Sequence, residues 1–466
     1  MALLFDSFLG CRVAADKHLT LTQIADQQAS TEQQLRLMVQ VALQQAAEAG
    51  AEQSEIWCYN TVGNSIEVRQ GELETLEFNQ DSHFGINVYF GQRKGTVSIN
   101  DLTEAAVHKG VQAACEIAGF TEPDPYSGLA GKSLMATQFK DLQLDHPNDL
   151  TIPQMVESAR LCEARALTDT RIKQSEGASS YSHRSVSLYA NSHGFVGANH
   201  TTRFSLSNSV IAETDNGMIR DGYYTIGRDV ADLLSPEAVG EQAADRVLNK
   251  LVQGKVPSGN HPIIFSAELA RGLWSHILSA LKGAALYQRA SFLLDKKDQL
   301  ILPEFVQIKE DPFLLKGFGS GNYDSDGVAT RKRDIVVDGV LKDYFLSSYS
   351  ARRLGLQTTG NAGGIHNILI KPMELSLQDM MKQLGSGLLL TEVMGQGVNT
   401  VTGNYSRGAS GFWFENGEIK HFAQELTIAG NLEQMLKNIV AISNDVDSRS
   451  SILTGSVAIE GMMVAS

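Results

Sequence analysis

The sequence contains few cysteines, the residues that cross-link a fold through disulfide bonds or thiolate-bound metal ions. Only four of its 466 residues are cysteines, namely Cys11, Cys58, Cys115 and Cys162, and no two of them form a Cys-x-x-Cys pair. We therefore expect neither a disulfide framework nor a thiolate zinc site, which is typical of a protein in a reducing cytoplasm. Proline is also scarce, with 10 residues against 42 glycines. This balance indicates tight turns and close backbone packing rather than a low-complexity linker.

Positive charge is the second shortage. Lys and Arg number 39 against 53 Asp and Glu, which gives a net charge of −14. Proteins that bind through phosphate contacts usually carry a basic face, so we expect no nucleic-acid partner. Anionic membrane surfaces are disfavoured for the same reason. Long apolar runs are missing too, because no segment approaches the ~18 residues of a membrane span.

The first 30 residues carry no regular pattern. The run Phe8-Leu9-Gly10-Cys11 resembles a lipoprotein cleavage box, but Asp6 interrupts the apolar stretch and no Lys or Arg precedes it. A signal peptide needs a basic start and an unbroken apolar run of ~7–15 residues. We therefore expect residues 1–30 to form an N-terminal extension and the protein to be cytoplasmic.

Residues 31–257 are predicted to form an α+β domain of two helix–antiparallel meander–helix units. Helical spacing recurs, and alternating strand-like segments fill the intervals. The helical segments are residues 31–49, 102–119, 152–167 and 235–251. Turns at Gly63-Asn64 and Gln80-Asp81 are expected to divide the strands of the first meander. An irregular arm over residues 121–150, which contains Pro123 and Pro125, is predicted to join the two units.

Residues 258–466 are predicted to form a β-rich C-terminal domain. A helix is indicated over residues 268–285, and the chain then becomes Gly-rich and strand-like. Asp338-Gly339 and Asn416-Gly417 each separate two strand-like runs and predict β-hairpins. Short helices are predicted over residues 375–384 and 432–442. The predicted fold class is therefore α+β.

Two features of the sequence are weak candidates for metal binding. Asp324-Ser325-Asp326-Gly327 hints at a calcium loop, but apolar residues follow where an EF-hand needs oxygen ligands, so a turn is favoured. His276 lies on the helix predicted over residues 268–285 and has no second histidine one turn away. A lone helical histidine is more often packed or solvated than metal-bound. We assign no catalytic residue and no metal ligand to this chain.

The most unusual feature is a pair of segments dense in glycine, amide and hydroxyl groups, residues 392–411 and 358–364. Such segments let main-chain groups approach another chain closely. Arg407 is the only charged residue between Glu392 and Glu415, and its guanidinium is able to clamp a carboxylate or a carbonyl. The alternative is tight packing of a glycine-rich β core. The candidate residues for a peptide channel or a subunit seam are Gly360, Asn361, Gly395, Gln396, Gly397, Asn399, Thr402, Gly403, Asn404, Tyr405, Ser406, Arg407 and Gly408.

Six runs in the C-terminal half occur in a fixed order. They are DGVL at 338–341, LSSYSARRLG at 346–355, TGNAGG at 359–364, MGQGVN at 394–399, TGNYSRGASG at 402–411 and TIAGNL at 427–432. Together they resemble the PmbA/TldE branch of the TldD/PmbA family. The resemblance is specific over residues 260–466 and extends in element order to about residue 30. It implies an α+β N-terminal domain with a helix–meander–helix plan and a β-rich C-terminal domain.

The resemblance also implies a role in a cytoplasmic, two-subunit zinc peptidase that degrades or matures small unfolded peptides. The TldD-type subunit of that system holds zinc with a His-Glu-x-x-x-His helix and a cysteine near its C-terminus. Here His-Glu never occurs, and no cysteine lies beyond Cys162. Alignment through Gly283 puts Trp274, Ser275 and Ser279 at the ligand and base positions. The resemblance therefore implies the non-metal subunit, which acts on unfolded peptides with a zinc-holding TldD-type partner.

One alternative function stays open at this point. A homodimer is the candidate assembly for the chain when it is alone, and the sequence does not fix this oligomeric state. The naming of the family also links it to the modulation of DNA gyrase, so a regulatory binding protein without peptidase chemistry is the alternative function. The acidic charge argues against contact with DNA but not against contact with gyrase itself.

Overall fold

The computed structural model describes residues 21–214 and 217–466, and their side chains from residue 31 onward. The chain forms two compact units. The first contains the chain as far as Pro125 together with Gln143–Leu248, and the second contains Tyr126–Leu142 and Asn249–Ser466. Of the extension predicted over residues 1–30, the first 20 residues lie outside the described part of the chain.

Part of the predicted arm over residues 121–150 groups with the second unit rather than with the first. The guanidinium of Arg352 donates to the main-chain oxygens of Tyr126 at 2.7 Å, Gly128 at 2.7 Å and Leu129 at 3.1 Å. These bonds connect the arm to the C-terminal half. This grouping differs from the predicted domain bounds, which gave the whole arm to the N-terminal domain. The prolines of the arm indicated an irregular backbone, but they do not indicate which half of the chain the arm belongs to.

One antiparallel sheet forms the centre of the first unit. The strands lie in the order β3-β2-β1-β4-β5-β6. They are β1 (Gln53–Arg69), β2 (Glu72–Phe90), β3 (Arg93–Ile99), β4 (Ile172–Asn191), β5 (Val196–Thr214) and β6 (Gly217–Gly227). Because β1 pairs with both β2 and β4, the two predicted meanders merge into a single sheet.

The predicted turn at Gly63-Asn64 is wrong. Both residues lie inside β1, where Gly63 pairs with Asn79 on one side and with His183 on the other. A Cβ atom on Gly63 would lie 2.3 Å from the main-chain oxygen of Ser182. This glycine therefore marks a close approach of two strands, which is the other common role of glycine in a sheet. The predicted turn at residues 80–81 is wrong in the same way, because both residues lie inside β2.

In the described part of the first unit, four helices pack on the sheet. They are Leu21–Glu48, Glu104–Phe120, Ile152–Ala166 and Pro236–Asn249. Apolar side chains such as Leu35 and Val111 are buried with Ile56 of β1, and Met155 is buried with Ile66. The first helix begins ten residues before the predicted start at Thr31, because the preceding Ala and Gln residues favour a helix without forming an apolar stripe.

Two sheets form the second unit. One has the strand order β10-β9-β8-β11-β16, and the other has the order β14-β13-β12-β7-β17-β15. Their strands are β7 (Gly259–Phe265), β8 (Ile308–Asp311), β9 (Arg333–Val337), β10 (Val340–Leu341), β11 (Asn367–Ile370), β12 (Ser386–Met394), β13 (Asn404–Glu415), β14 (Glu418–Asn431), β15 (Ile439–Ile442), β16 (Ile452–Leu453) and β17 (Val457–Ala465). β14 also pairs with β17, so five strands of the second sheet close into a ring.

Both hairpins predicted in the second unit are confirmed. Asp338 and Gly339 join β9 to β10 with φ values of 49° and 73°. Asn416 and Gly417 join β13 to β14 with φ values of 54° and 82°. Positive φ at both turn residues is the geometry that Asn-Gly and Asp-Gly pairs favour in tight hairpins.

Short helices complete the second unit. They are Ala267–Ala280, Gly283–Tyr287, Ser348–Leu354, Leu377–Leu384 and Leu432–Lys437. The first of them buries Leu273, Trp274 and Ile277 in the core. The helix predicted over residues 432–442 ends at Lys437, because the apolar residues that follow form β15. The fold class is α+β with a β-rich C-terminal half, as predicted. No helix in residues 21–214 and 217–466 is long and apolar enough to cross a membrane.

Candidate functional site

The candidate residues between Gly395 and Gly408 lie on one loop and the strand that follows it. β12 ends at Met394, and β13 returns from Asn404. Main-chain hydrogen bonds close the loop: the nitrogen of Ser406 donates to the oxygen of Gly397 at 2.7 Å, and the nitrogen of Asn399 donates to the oxygen of Asn404 at 2.8 Å. The structure therefore brings eleven of the thirteen candidate residues together. They are Gly395, Gln396, Gly397, Asn399, Thr402, Gly403, Asn404, Tyr405, Ser406, Arg407 and Gly408.

The glycine and amide residues of this loop have local structural roles. A Cβ atom on Gly397 would lie 1.8 Å from the main-chain oxygen of Ser406, so only glycine allows the loop to close there. The Asn399 side chain accepts hydrogen bonds from the nitrogens of Val401 at 2.9 Å and Thr402 at 3.2 Å. These contacts make the loop compact, and they account for its composition without a ligand.

Arg407 is the exception in this loop. Its Nε donates to the oxygen of Met394 at 3.4 Å, and its Nη2 donates to the oxygen of Val393 at 3.5 Å. Both distances exceed the usual 2.9–3.0 Å of a strong N–H···O bond. No carboxylate in the described residues lies close enough to form an ion pair with it. The guanidinium also donates to the hydroxyl of Tyr405. A guanidinium has five N–H donors, so these three bonds leave donor capacity for another group.

Tyr405 and His276 lie beside Arg407. Their rings meet edge to face, with centroids 6.3 Å apart. Tyr405 is only 3% exposed. Burial raises the pKa of its hydroxyl, and the charge of Arg407 and a hydrogen bond from its guanidinium offset only part of that rise. His276 is half-buried, and first burial and then the charge of Arg407 lower the pKa of its imidazole. The sequence did not predict this neighbourhood, because His276 and Arg407 are far apart along the chain.

Gly360 and Asn361 lie in a different part of the second unit. Asn361 is buried, its Oδ1 accepts from Nη2 of Arg333 at 2.7 Å, and its Nδ2 donates to Oε1 of Glu310 at 2.8 Å. Nη2 of Arg333 also donates to Oε2 of Glu310 at 2.5 Å. Within the described residues, no hydrogen bond joins residues 358–364 to residues 392–411. The sequence did not predict this network, because its residues come from strands and loops that are far apart along the chain.

The loop that resembled a calcium site is part of the same closed region. Asp324 is 4% exposed. Its carboxylate accepts main-chain hydrogen bonds from Val328 at 2.9 Å and from Ala362 at 2.8 Å. Burial first, and then the neighbouring Asp326 carboxylate, raise the pKa of Asp324 to about 7. N–H groups that point at a carboxylate form a turn, in agreement with the turn favoured from the sequence.

Asn361 lines a cavity of the second unit. It has a volume of about 240 Å³, and Asn361, Gly363, Lys282, Tyr287 and Tyr349 are among its lining residues. The Asn361 amide is already engaged by Arg333 and Glu310, so it offers this cavity little hydrogen-bonding capacity.

Family models match most of the chain in order. The descriptions of these models are PmbA/TldA metallopeptidase domain 1 over residues 55–118, the central domain over residues 145–251 and the C-terminal domain over residues 258–466.

Individual proteins give the same picture. "Metalloprotease PmbA" of Escherichia coli O157:H7 is 47% identical over 413 residues, which are 88% of this chain and 92% of that protein. "Metalloprotease PmbA homolog" of Haemophilus influenzae is 45% identical over 436 residues, which are 93% of this chain and 96% of that protein. A crystal structure from Bacteroides thetaiotaomicron, named as a modulator of DNA gyrase, has a TM-score of 0.87 at 27% identity and covers 92% of this chain and 98% of its own.

The name metallopeptidase implies a bound metal, and the described residues of this chain do not fit one. On the helix Ala267–Ala280, Glu268 and His276 are the only side chains of a zinc-binding type. They are two turns apart, and Glu268 lies 3.7 Å from the guanidinium of Arg449. In residues 31–214 and 217–466, no three His, Cys, Asp or Glu side chains come together as a metal site. A tetrahedral zinc site needs three or four such ligands.

Proposed function

This chain belongs to the PmbA/TldE branch of the TldD/PmbA family, and from that membership we propose that it is the non-metal-binding subunit of a two-subunit peptidase. Its partner is a TldD-type subunit that holds zinc. The complex degrades or matures small unfolded peptides in the cytoplasm. This chain supplies part of the peptide channel or of the subunit seam, and the chemistry of bond cleavage belongs to the partner.

The observation that carries this proposal is the state of the helix Ala267–Ala280. In the alignment through Gly283, Trp274 and Ser279 take the positions of the two histidines of a TldD-type subunit, and Ser275 takes the position of its glutamate. Trp274 is fully buried, and its Nε1 donates to Oγ1 of Thr454 at 3.0 Å. An indole has no lone pair for a metal, and a serine is not a base for activating water. The family scaffold is therefore kept here without the groups that a metal centre needs.

The loop around Arg407 supports the role in a channel or a seam. The side chain of Asn399 is engaged within the loop, whereas the guanidinium of Arg407 has two long bonds to carbonyls. A partly buried cation with unused donors is a common feature of surfaces that meet a peptide or another subunit.

The experiment is a mixing assay with an unstructured peptide. We expect no cleavage by the purified chain alone, and cleavage when a purified TldD-type chain is added. A chelator should abolish the activity of the mixture, and elemental analysis of the tag-free chain should find no stoichiometric zinc. Cleavage by this chain alone in the presence of chelator would contradict the proposal. So would about one zinc per chain that is lost in His276→Ala.

A second candidate function is regulation of DNA gyrase by direct binding. The observation that favours it is that the structural relative from Bacteroides thetaiotaomicron is named as a modulator of DNA gyrase. With a net charge of −14, such a protein would contact gyrase itself rather than DNA. The mixing assay separates the two functions, since a pure gyrase regulator would leave the peptide intact with and without the TldD-type chain.

A further inference from the structure

The donors of Arg407 are not matched by the acceptors that surround it. A guanidinium carries five N–H donors in a planar fork. Here the two bonds to the oxygens of Val393 and Met394 are 3.5 and 3.4 Å long. In contrast, Arg333 in the same unit makes bonds of 2.5 and 2.6 Å to the carboxylates of Glu310 and Asp343. The position of Arg407 therefore leaves room for an acceptor that the described chain does not provide.

The groups beside Arg407 favour an anion rather than a neutral acceptor. The rings of His276 and Tyr405 meet edge to face with centroids 6.3 Å apart, and Tyr405 lies two residues before Arg407 on the same strand. Besides burial, the charge of Arg407 acts on the pKa of both side chains. In the described residues, His276 makes no hydrogen bond. An imidazole N–H and a phenol O–H are hydrogen-bond donors. Both side chains therefore add donors beside Arg407, and no carboxylate of the described residues forms an ion pair with that guanidinium.

The size and charge of the ligand are limited by the rest of the chain. A net charge of −14 disfavours a polyanion such as a nucleic acid. A single carboxylate matches the fork of a guanidinium with two parallel bonds. The approach is open, because Met394, Gly395 and Gln396 are exposed and a Cβ atom on Gly395 would have no neighbour within 4 Å.

We propose that Arg407, His276 and Tyr405 form a binding site for the free C-terminal carboxylate of a peptide. Arg407 makes the bidentate contact, and His276 and Tyr405 donate from the side of the helix Ala267–Ala280 and of β13. The inference rests on the proposed function in taking the ligand to be a peptide. It adds that the end of the peptide, rather than its side chains, is what this chain recognises.

The test compares two forms of one unstructured peptide made of Gly, Ser, Ala and Asn. One form has a free C-terminus and the other is amidated, and binding to the full chain is measured by calorimetry with and without a TldD-type subunit. We expect the free acid to bind at least about tenfold more tightly than the amide, since contacts to charged groups are the strong ones. Arg407→Gln should remove this difference, and Arg407→Lys should keep part of it, because an ammonium lacks the planar fork.

Matched controls exclude general effects of charge and folding. Lys420→Gln removes one exposed positive charge from β14, the strand next to β13, and should leave the preference for the free acid unchanged. His276→Gln should weaken binding of the free acid several-fold while the amide is unaffected. Melting temperatures near that of the parent chain show that each variant is folded.

Three outcomes contradict the inference. They are equal binding of acid and amide, no binding of either form with or without the partner, and an acid preference that survives Arg407→Gln. An amidated peptide with an internal Glu that binds as tightly as the free acid would also refute the assignment to the C-terminus. The readout is binding rather than turnover. An acid preference in a chain that never supports cleavage would refute the proposed function and leave this site standing.

Discussion

Two glycine-rich segments of the second unit have similar compositions but different relations to an arginine. In residues 358–364, Asn361 is hydrogen-bonded to Arg333 and Glu310. These two side chains form a buried ion pair, with 5% of Arg333 and 1% of Glu310 exposed. Residues 392–411 carry Arg407, which is partly exposed and has two long bonds to carbonyls. The first arginine completes the fold, whereas the second has donors left over.

The difference shows what glycine density indicates and what it does not. Each segment has a glycine that allows close backbone packing: a Cβ atom would lie 3.1 Å from the oxygen of Ala329 at Gly360 and 1.8 Å from the oxygen of Ser406 at Gly397. Close packing therefore explains the glycines in a scaffold and in a binding loop equally well. The state of the nearby charge is what separates the two.

Removal of Arg333 should give the largest loss of stability. Arg333→Ala leaves the buried carboxylate of Glu310 without its partner, and breaking a buried pair in this way costs about 3–5 kcal/mol of unfolding free energy. Chemical denaturation measures this loss. Lys332→Ala is the matched control, since its ion pair with Asp311 has a lysine side chain that is 65% exposed, and exposed pairs contribute about 0–1 kcal/mol. Similar losses in both variants would show that the network of Arg333 is not the scaffold described here.

Gly397 should matter for stability although it lies in the binding loop. In Gly397→Ala the new Cβ clashes with the main-chain oxygen of Ser406, and overpacking of this kind costs about 1–3 kcal/mol. Gly272→Ala is the control, because Gly272 lies on the helix Ala267–Ala280 with no atom within 4 Å of its Cβ position. That change should be neutral or stabilising by up to ~1 kcal/mol. A Gly397→Ala protein as stable as its parent would mean that the loop is not closed as described.

The closed region should also respond to pH. In the folded state, burial first and then the Asp326 carboxylate raise the pKa of Asp324 to about 7 from its ordinary value of 3.8. The folded chain therefore binds more protons than the unfolded chain between these two pH values. The stability that the protonated Asp324 carboxyl contributes is therefore fully present below pH 4, and it is lost as the pH rises through 7. Thermal melts between pH 4 and 8 measure this loss.

Asp326→Asn sharpens the same experiment. It removes the neighbouring charge that helps to raise the pKa of Asp324, so the fall in melting temperature over that range should be smaller than in the parent chain. An identical fall in both proteins would show that the two carboxylates do not interact.

Much of the fold was predictable from short-range signals. Asp338-Gly339 and Asn416-Gly417 predicted the hairpins because their backbone preference is local. The turn predicted at Gly63 was wrong, because a glycine marks either a turn or a close approach of two strands. Only the pairing of β1 with β4 decides between these two roles. The start of the first helix was missed because apolar periodicity detects the buried part of a helix rather than its whole length.

The candidate site was predictable only in part. Arg407 stood out as the single charge in a long neutral run, and the loop around it is continuous in sequence. Its neighbour His276 comes from a helix more than a hundred residues away, so no local pattern links the two. The burial of Asn361 by Glu310 and Arg333 is also a tertiary contact. Composition placed Asn361 beside Arg407 in one candidate set, and tertiary structure separates them.

The most direct test compares Arg407→Ala with Arg333→Ala in the presence of a TldD-type subunit. For each variant, the melting temperature, complex formation and peptide turnover per folded complex are measured together. We expect Arg407→Ala to melt close to the parent chain while it weakens binding of partner or peptide by about 2–5 kcal/mol, the usual cost of truncating a buried charged contact. Arg333→Ala should lose stability, and its remaining folded complex should turn over normally. A large fall in melting temperature for Arg407→Ala, with assembly and turnover per folded complex unchanged, would contradict the account and make residues 392–411 part of the scaffold.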